Sequence, residues 1–298
     1  MTDPRPIGVF DSGVGGLTVL SEIFRRSPRE STIYLGDNAR APYGIRSDAE
    51  VRSFSTEALD ALVERDVKAI VVACNTSTAV ALGDFRRRYD LPILGVVRPG
   101  AVTAALTTRN RRVGVIATPA TVRSHAYFTA IKDENPAVEV YEHATPAFVP
   151  LVEAGKLSGP EVEAAVADGL APLLGERDQR GEFVFPLPAS ARIDTLLLGC
   201  THYPLIRTVI AAVAGEGVAI VDSATATASA LSELLAVNGL EAAETDGGAG
   251  GDAASAAGPT THVQLTTGDV DAFRAVARRL FGDTFVDVEP VELAAVAS

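Results

Sequence analysis

Cysteine is scarce in this sequence: its 298 residues include only Cys74 and Cys200. The two lie 126 positions apart (200 − 74), which gives little support for a structural disulfide, so both thiols are expected to be reduced. Metal-ligand motifs are lacking too, because the chain has four histidines and neither a CxxC nor an HExxH pattern. Cys200 and His202 could offer two ligands, but two do not predict a zinc site.

Long apolar runs and basic surfaces are also missing. No apolar run approaches the roughly 20 residues that span a membrane, and residues 1–13 (MTDPRPIGVFDSG) do not form a signal peptide. The formal net charge of −12, from 26 Lys+Arg against 38 Asp+Glu, argues against a general nucleic-acid surface. We therefore expect a cytoplasmic protein that binds neither membranes nor nucleic acids.

The first glycine-rich turn lacks the features of a nucleotide-binding loop. In DSGVGGLT (residues 11–18) no Lys-Ser/Thr pair follows the glycines, and the spacing is not GxGxxG. The turn follows a predicted strand, residues 6–10, and precedes a predicted helix that runs to about residue 26. It therefore places Asp11 and Ser12 at a strand's carboxyl end, where the glycines allow the backbone to approach a small ligand.

The two cysteines occur in matching contexts. IVVACNTSTAV (residues 70–80) and LLLGCTHYPLI (residues 196–206) are apolar runs that break at Cys74 and Cys200 into short polar residues. Such runs predict buried parallel strands that lead into helices. A cysteine at that point lies in the crevice where α/β folds bind ligands, and the helix N-terminus favours its thiolate. The alternative is that each cysteine is a small core residue.

The rest of the chain alternates between strand and helix patterns, which predicts an α/β fold. Further predicted strands are residues 31–35, 67–73, 91–96, 113–117, 218–222, 261–266 and 285–288, and further predicted helices are residues 48–66, 204–213, 223–237 and 269–281. A predicted loop, residues 36–44, contains Tyr43 and Gly44. Tyr43 lines a binding site or only covers the core.

A repeat divides the chain into two related halves. The segment from Gly114 echoes the one from Gly8, an offset of 106 (114 − 8), whereas the cysteine offset is 126. The difference of 20 matches the polar segment 175–193, interpreted as an insertion. We predict a first domain of residues 1–98 plus 214–298 and a second of residues 99–213, with a crossing at Arg98-Pro99-Gly100. Residues 241–259, rich in Gly and Ala, predict a flexible loop.

Two matched thiols favour inversion at a carbon. A Cys-His hydrolase needs one nucleophile and one base, which leaves the second cysteine unexplained. Racemisation through a planar carbanion needs a base on one face of the substrate and an acid on the other. Cysteines at matched positions of two facing halves would supply both groups.

The sequence resembles the cofactor-independent aspartate/glutamate racemases. The matching stretches, spread over the first 210 residues in the family's order, are residues 8–20, 34–44, 71–79, 114–122, 151–155 and 198–206. The resemblance implies two pseudo-symmetric α/β domains, each a mainly parallel sheet flanked by helices, with the active site in the cleft between them. It also implies interconversion of L- and D-glutamate without pyridoxal phosphate, metal or nucleotide. D-glutamate would then supply peptidoglycan synthesis.

The resemblance also assigns roles to residues. Cys74 and Cys200 match the acid/base thiols, and the auxiliary catalytic groups beside them are Asp11, His202 and Glu153. Substrate contacts, which include Asp11 and His202, further comprise Ser12, Tyr43, Gly44, Asn75, Thr76, Thr118 and Thr201. From the residues alone His202 either polarises Cys200 or only bonds the backbone, and Glu153 would be a solvated helix residue.

Other functions stay open at this point. A racemase of aspartate or a related acid is the nearest alternative, and a non-catalytic amino-acid sensor on the same scaffold is the alternative from another class. A sensor, however, has no need for two thiols. We expect a homodimer.

Overall fold

The computed structural model describes residues 2–174, 176–177, 183–184, 192–243 and 260–294. The strands of this described part are β1 (Ile7–Asp11), β2 (Thr32–Gly36), β3 (Ala69–Val72), β4 (Ile93–Gly95), β5 (Arg112–Ala117), β6 (Glu139–Ala144), β7 (Glu176–Arg177), β8 (Phe183–Val184), β9 (Thr195–Gly199), β10 (Ala219–Asp222), β11 (His262–Thr266) and β12 (Val288–Pro290). The α-helices are α1 (Leu17–Arg26), α2 (Asp48–Val63), α3 (Asn75–Arg88), α4 (Val97–Thr107), α5 (Pro119–Ser124), α6 (Ala126–Glu134), α7 (Phe148–Glu153), α8 (Pro160–Leu174), α9 (Arg207–Ala214), α10 (Ser223–Asn238) and α11 (Val270–Phe281).

The first sheet is parallel, with the strand order β12-β11-β2-β1-β3-β4. Its central strand β1 is apolar without alternation, and all five of its residues are buried. Such a strand needs cover on both faces, which helices provide in parallel sheets. Ile7 and Val9 accordingly pack in a cluster with α1 and α10, whereas Phe10 packs in a second cluster with α2 and α3.

The second sheet is also parallel and repeats part of the first. Its order β10-β9-β5-β6 corresponds to β4-β3-β1-β2 of the first sheet. Gly8 of β1 lies opposite Ile70 of β3, and Gly114 of β5 lies opposite Leu196 of β9. The repeated sequence pattern thus corresponds to repeated strand order, and the predicted α/β architecture with two parallel sheets and flanking helices is confirmed.

Two helices cross between the halves, and this changes the predicted boundary. The sequence pattern assigns residues 214–298 to the first domain, yet β10 pairs with β9 in the second sheet. Helix α10 follows β10 but packs on the first sheet, and α4 follows β4 of the first sheet but packs on the second. Each sheet is therefore covered in part by a helix that follows the edge strand of the other sheet. The predicted crossing at residues 98–100 lies in the first turn of α4, where proline is tolerated.

Several predicted elements shift for local reasons. Residues 203–206 form a 3₁₀ turn before α9, and residues 282–285 form another, so the last strand begins at Val288 rather than residue 285. Within the polar segment 175–193, β7 and β8 form an antiparallel pair, and most other residues of the segment lie outside the described residues. In the described part of the chain, no helix is long and apolar enough to cross a membrane.

The Gly/Ala-rich tract begins with ordered residues. Asp3 N donates to Glu241 O at 3.0 Å, and Ala242 N donates to the Glu30 carboxylate at 2.8 Å. The prediction that a flexible loop begins at residue 241 is therefore wrong for Glu241 and Ala242. Residues 244–259 lie outside the described residues.

Candidate active site

Cys74 lies between β3 and α3 as the N-cap residue of the helix. Its sulfur accepts a hydrogen bond from Ser77 N at 3.4 Å, and its thiol donates to Ser12 Oγ at 3.6 Å. The side chain is 4% exposed. Burial raises the pKa of the Cys74 thiol, the Asp11 charge raises it too, and the hydrogen bonds to Ser77 and Ser12 lower it, which together give a pKa of about 11. At neutral pH this site therefore holds Cys74 as a thiol.

Asp11, the last residue of β1, is a fully buried carboxylate beside Cys74. Its Oδ2 accepts from Gly13 N at 3.0 Å, and a Cβ on Gly16 would lie 2.5 Å from the Asp11 Cβ. Glycine at position 16 is therefore what allows the turn to close around the carboxylate. Burial raises the Asp11 pKa, while the His202 charge and backbone N–H groups of Gly13 and Gly16 oppose the rise.

Cys200 follows β9 and faces a histidine, whose other ring nitrogen contacts a glutamate. Its sulfur lies 3.7 Å from His202 Nδ1, and His202 Nε2 lies 3.2 Å from Glu153 Oε1. Burial by itself would lower the pKa of His202, but the hydrogen bonds to Cys200 and Glu153 and their charges raise it to about 10. His202 is thus an imidazolium at neutral pH, and both ring nitrogens donate.

The segment that carries each thiol contacts the segment at the carboxyl end of the first strand of the opposite half, β1 or β5. Thr201 Oγ1 donates to Asp11 Oδ1 at 3.5 Å, and the Thr76 and Thr118 hydroxyls are 2.9 Å apart. A Cβ on Gly15 would lie 2.5 Å from both Thr201 Oγ1 and His202 Nδ1. These contacts shield both cysteines, since Cys200 is only 6% exposed.

The structure brings most of the predicted residues to this junction. Besides the contacts above, Gly44 packs on Thr118, because a Cβ there would lie 2.6 Å from the Thr118 Cβ. Glu153, at the end of α7, is tied to His202 rather than only solvated. Tyr43 differs: its ring packs in the core against Phe10, and its hydroxyl donates to Asp37. The core interpretation therefore describes the Tyr43 side chain.

Other residues at the junction are missed by the sequence reasoning. Ser77 donates to Cys74, and its hydroxyl accepts from Ser55 Oγ at 2.9 Å. Tyr127 of α6 accepts from Asn75 Nδ2 at 2.6 Å. The segment around Tyr127 has no motif, so only the tertiary structure reveals it. Nowhere in the described ranges do three or more His, Cys, Asp or Glu side chains gather as a metal site would require.

Comparison with known proteins identifies the family. The model of the Asp/Glu/Hydantoin racemase family matches residues 7–231. The glutamate racemase of Beutenbergia cavernae is 46% identical over 95% of this chain and 91% of its own. A glutamate racemase isoform of Bacillus anthracis superposes with a TM-score of 0.84, at 38% identity, over 97% of this chain and 98% of that one. The Francisella tularensis glutamate racemase in complex with D-glutamate gives a TM-score of 0.79 at 33% identity, over 97% and 98% of the two chains. With matched thiols at the junction of two parallel sheets and relatives this similar over nearly its whole length, the chain belongs to the Asp/Glu/Hydantoin racemase family.

Proposed function

We propose that this chain is an isomerase that interconverts L- and D-glutamate with Cys74 and Cys200 as its two acid/base groups. One observation carries the proposal: the two cysteines follow equivalent strands, in the same register, on opposite sides of one junction. The relatives that match nearly the full length are named glutamate racemases, and one was solved with D-glutamate.

The reaction needs one thiolate and one thiol at a time. The Cys200 thiolate takes the α-proton of L-glutamate, the carbon becomes planar, and the Cys74 thiol delivers its proton to the opposite face. The product is D-glutamate, with Cys200 now protonated and Cys74 a thiolate. That form of the enzyme is the one that accepts D-glutamate, so the reverse reaction uses the same two groups with exchanged roles.

The surrounding groups make this proton transfer feasible. The Cys74 pKa of about 11 is about four units above neutral pH, so deprotonating the free thiol at that pH costs about 5 kcal/mol. The substrate α-ammonium lowers that cost by placing a positive charge in the buried site. Asp11 is placed to hold this ammonium or to orient Cys74, and His202 with Glu153 assists Cys200. Asn75 and the hydroxyls of Ser12, Thr76, Thr118 and Thr201 contact the carboxylates, with backbone at Tyr43 and Gly44 lining the site.

Substrate entry requires the two halves to separate. The thiols are 4% and 6% exposed, and the facing loops are in contact. We propose residues 2–96 and 223–294 as one domain and residues 97–222 as the other, a division that follows sheet membership and the two crossing helices. Closure then excludes water from the carbanion.

The direct test is circular dichroism of L-glutamate incubated with the purified protein and no added cofactor. The signal should decay to zero, because mirror-image substrates have an equilibrium constant of one. A circular dichroism signal that persists would contradict the proposal. Decay with L-aspartate instead would identify the aspartate alternative. The sensor alternative predicts three results together: glutamate binds, thiol reagents abolish this binding, and neither enantiomer is turned over.

Three finer expectations belong to the same proposal. D-glutamate from this reaction would enter peptidoglycan synthesis. Depleting the protein in growing cells tests this, because the cells should then lose their shape. Both cysteines are free and act as thiols, which suits the reducing cytoplasm. A homodimer stays a prediction, to be measured by light scattering.

A further inference from the structure

A buried tyrosine connects the surroundings of the two thiols. Tyr127 lies on α6 in the second half, fully excluded from solvent. Its ring packs on the backbone next to Cys200, since a Cβ on Gly199 would lie 2.8 Å from Tyr127 Cε2. Its hydroxyl accepts from Nδ2 of Asn75, the residue after Cys74, at 2.6 Å. One side chain thus touches the residue before one cysteine and the residue after the other.

The Tyr127 hydroxyl makes two hydrogen bonds, one to each of two other helices. Asn75 donates to the tyrosine oxygen, and the tyrosine hydroxyl also shares a hydrogen bond with Ser223 Oγ, 3.0 Å away, in which either hydroxyl can be the donor. Ser223 is the first residue of α10 and packs against Gly100 of α4, where a Cβ would clash with the serine oxygen. The chain of hydrogen bonds therefore runs from the start of α3 through α6 to the contact between the two crossing helices.

We propose that Tyr127 is a positioning residue that acts through Asn75, an inference that rests on the proposed glutamate racemase function. The hydroxyl fixes one N–H of the Asn75 amide, and in the described part of the chain this is the one side-chain hydrogen bond that the amide makes. The remaining N–H and the amide oxygen are then presented to the substrate in one orientation. The same bond ties the Cys74 side of the junction to the Cys200 side when the halves are closed.

A double-mutant cycle tests this role. In Tyr127→Phe the ring stays and the hydroxyl is lost, so the Asn75 amide is free to rotate. We expect the KM for glutamate to rise about tenfold, the loss typical of one hydrogen bond to a charged group, while kcat changes less than about threefold. Because Tyr127 acts through Asn75, the pair Tyr127→Phe/Asn75→Ala should be no worse than Asn75→Ala alone.

Tyr203→Phe is the matched control. Tyr203 is fully buried in the same half, but among the described residues its hydroxyl bonds only within that half, to Thr145 Oγ1 at 2.7 Å and Thr145 O at 3.1 Å. It should lose similar thermal stability and keep KM within about threefold. Losses that add in the double mutant, an unchanged KM in Tyr127→Phe, or equal KM changes in the two Phe variants would overturn the inference.

Two further measurements keep the outcome decisive. If Tyr127→Phe is insoluble, Ser223→Ala removes the other hydrogen-bond partner of the same hydroxyl and should raise KM by more than about threefold, and an unchanged KM overturns the inference. The wild-type enzyme is assayed first: failure to racemise glutamate there refutes the proposed function, whereas a failed cycle with an active wild type refutes only the role of Tyr127.

Discussion

Cys74 and Cys200 occupy the same position after equivalent strands of two separate sheets. Each cysteine lies four residues after the residue that pairs with a glycine of the neighbouring strand. Ile70 pairs with Gly8 (74 − 70), and Leu196 pairs with Gly114 (200 − 196). The positions that follow diverge, because Asn75 and Thr76 correspond to Thr201 and His202 (offset 126). The backbone places two thiols alike, and the neighbouring side chains give each its own proton chemistry.

Asp11→Asn should separate catalysis from binding. The neutral amide fits the same space but removes the charge that raises the Cys74 pKa. We expect kcat to fall about 10- to 100-fold with KM within a few-fold, because a group that orients a thiol or holds the ammonium acts mostly on the transition state. Asp37→Asn is the control, since that buried carboxylate bonds Arg40 and Tyr43. An unchanged kcat with only a higher KM would make Asp11 a binding residue.

The His202–Glu153 pair should make stability fall at alkaline pH. The folded-state pKa of His202 is about 10, above its ordinary value of 6.5, so its protonation stabilises the folded state. That contribution is complete below pH 6.5 and is lost as pH rises to about 10. Urea unfolding at pH 6 and pH 9.5 should therefore show a larger decrease in the free energy of unfolding for the wild type than for Glu153→Gln. Equal decreases would show that the pair does not hold the proton.

Gly15→Ala should prevent closure of the two halves. The added Cβ would lie 2.5 Å from His202 Nδ1, which cannot move freely because Glu153 and Cys200 hold its ring. We expect kcat/KM to fall at least about tenfold while the protein stays folded, since a small misplacement of catalytic groups has large effects. Gly83→Ala is the control: its Cβ would meet only Arg87 Nη1, at 3.5 Å, on helix α3. That variant should stay fully active and gain up to about 1 kcal/mol of stability.

Shortening the Gly/Ala-rich tract should leave the fold intact. A deletion of about a dozen residues within 246–257 spares the contacts of Glu241 and Ala242, and loop length changes closure entropy slowly. The free energy of unfolding should change by less than about 1 kcal/mol. A longer deletion that also removes residues 241 and 242 should lower the free energy of unfolding further. Loss of soluble protein from the shorter deletion would show that the tract is structural.

Local sequence patterns predicted the parts of the site that follow strands. The apolar runs before Asp11, Cys74 and Cys200 are buried strands, and their polar carboxyl-end residues meet at one junction. A strand end is set by local hydrophobicity and helix capping, which a single sequence displays.

Contacts between distant segments were not predictable in this way. Helices α4 and α10 each cover the sheet of the opposite half, and periodicity shows that a helix has an apolar face without showing which sheet it meets. Tyr127 was not predicted for the same reason, because its proposed role depends on Asn75 and Ser223, which lie 52 and 96 positions away in the sequence. Tyr43 had two interpretations because a buried ring and a substrate contact leave the same sequence signal.

The central claim is that each thiol is the base for one enantiomer, and single-thiol variants test it. Racemisation rates cannot separate the two roles, because an equilibrium constant of one forces kcat/KM to be equal in both directions. Elimination can: 3-chloroglutamate loses its α-proton to one thiolate and chloride leaves, and the resulting enamine hydrolyses to 2-oxoglutarate and ammonia.

The decisive measurement is therefore 2-oxoglutarate release from each 3-chloroglutamate enantiomer by Cys74→Ala and Cys200→Ala. Both variants should lose racemisation in both directions, because inversion needs an acid as well as a base. Cys74→Ala should still eliminate from the L form and Cys200→Ala from the D form. If both variants act on the same enantiomer, or either keeps full racemase activity, the two-thiol account is wrong.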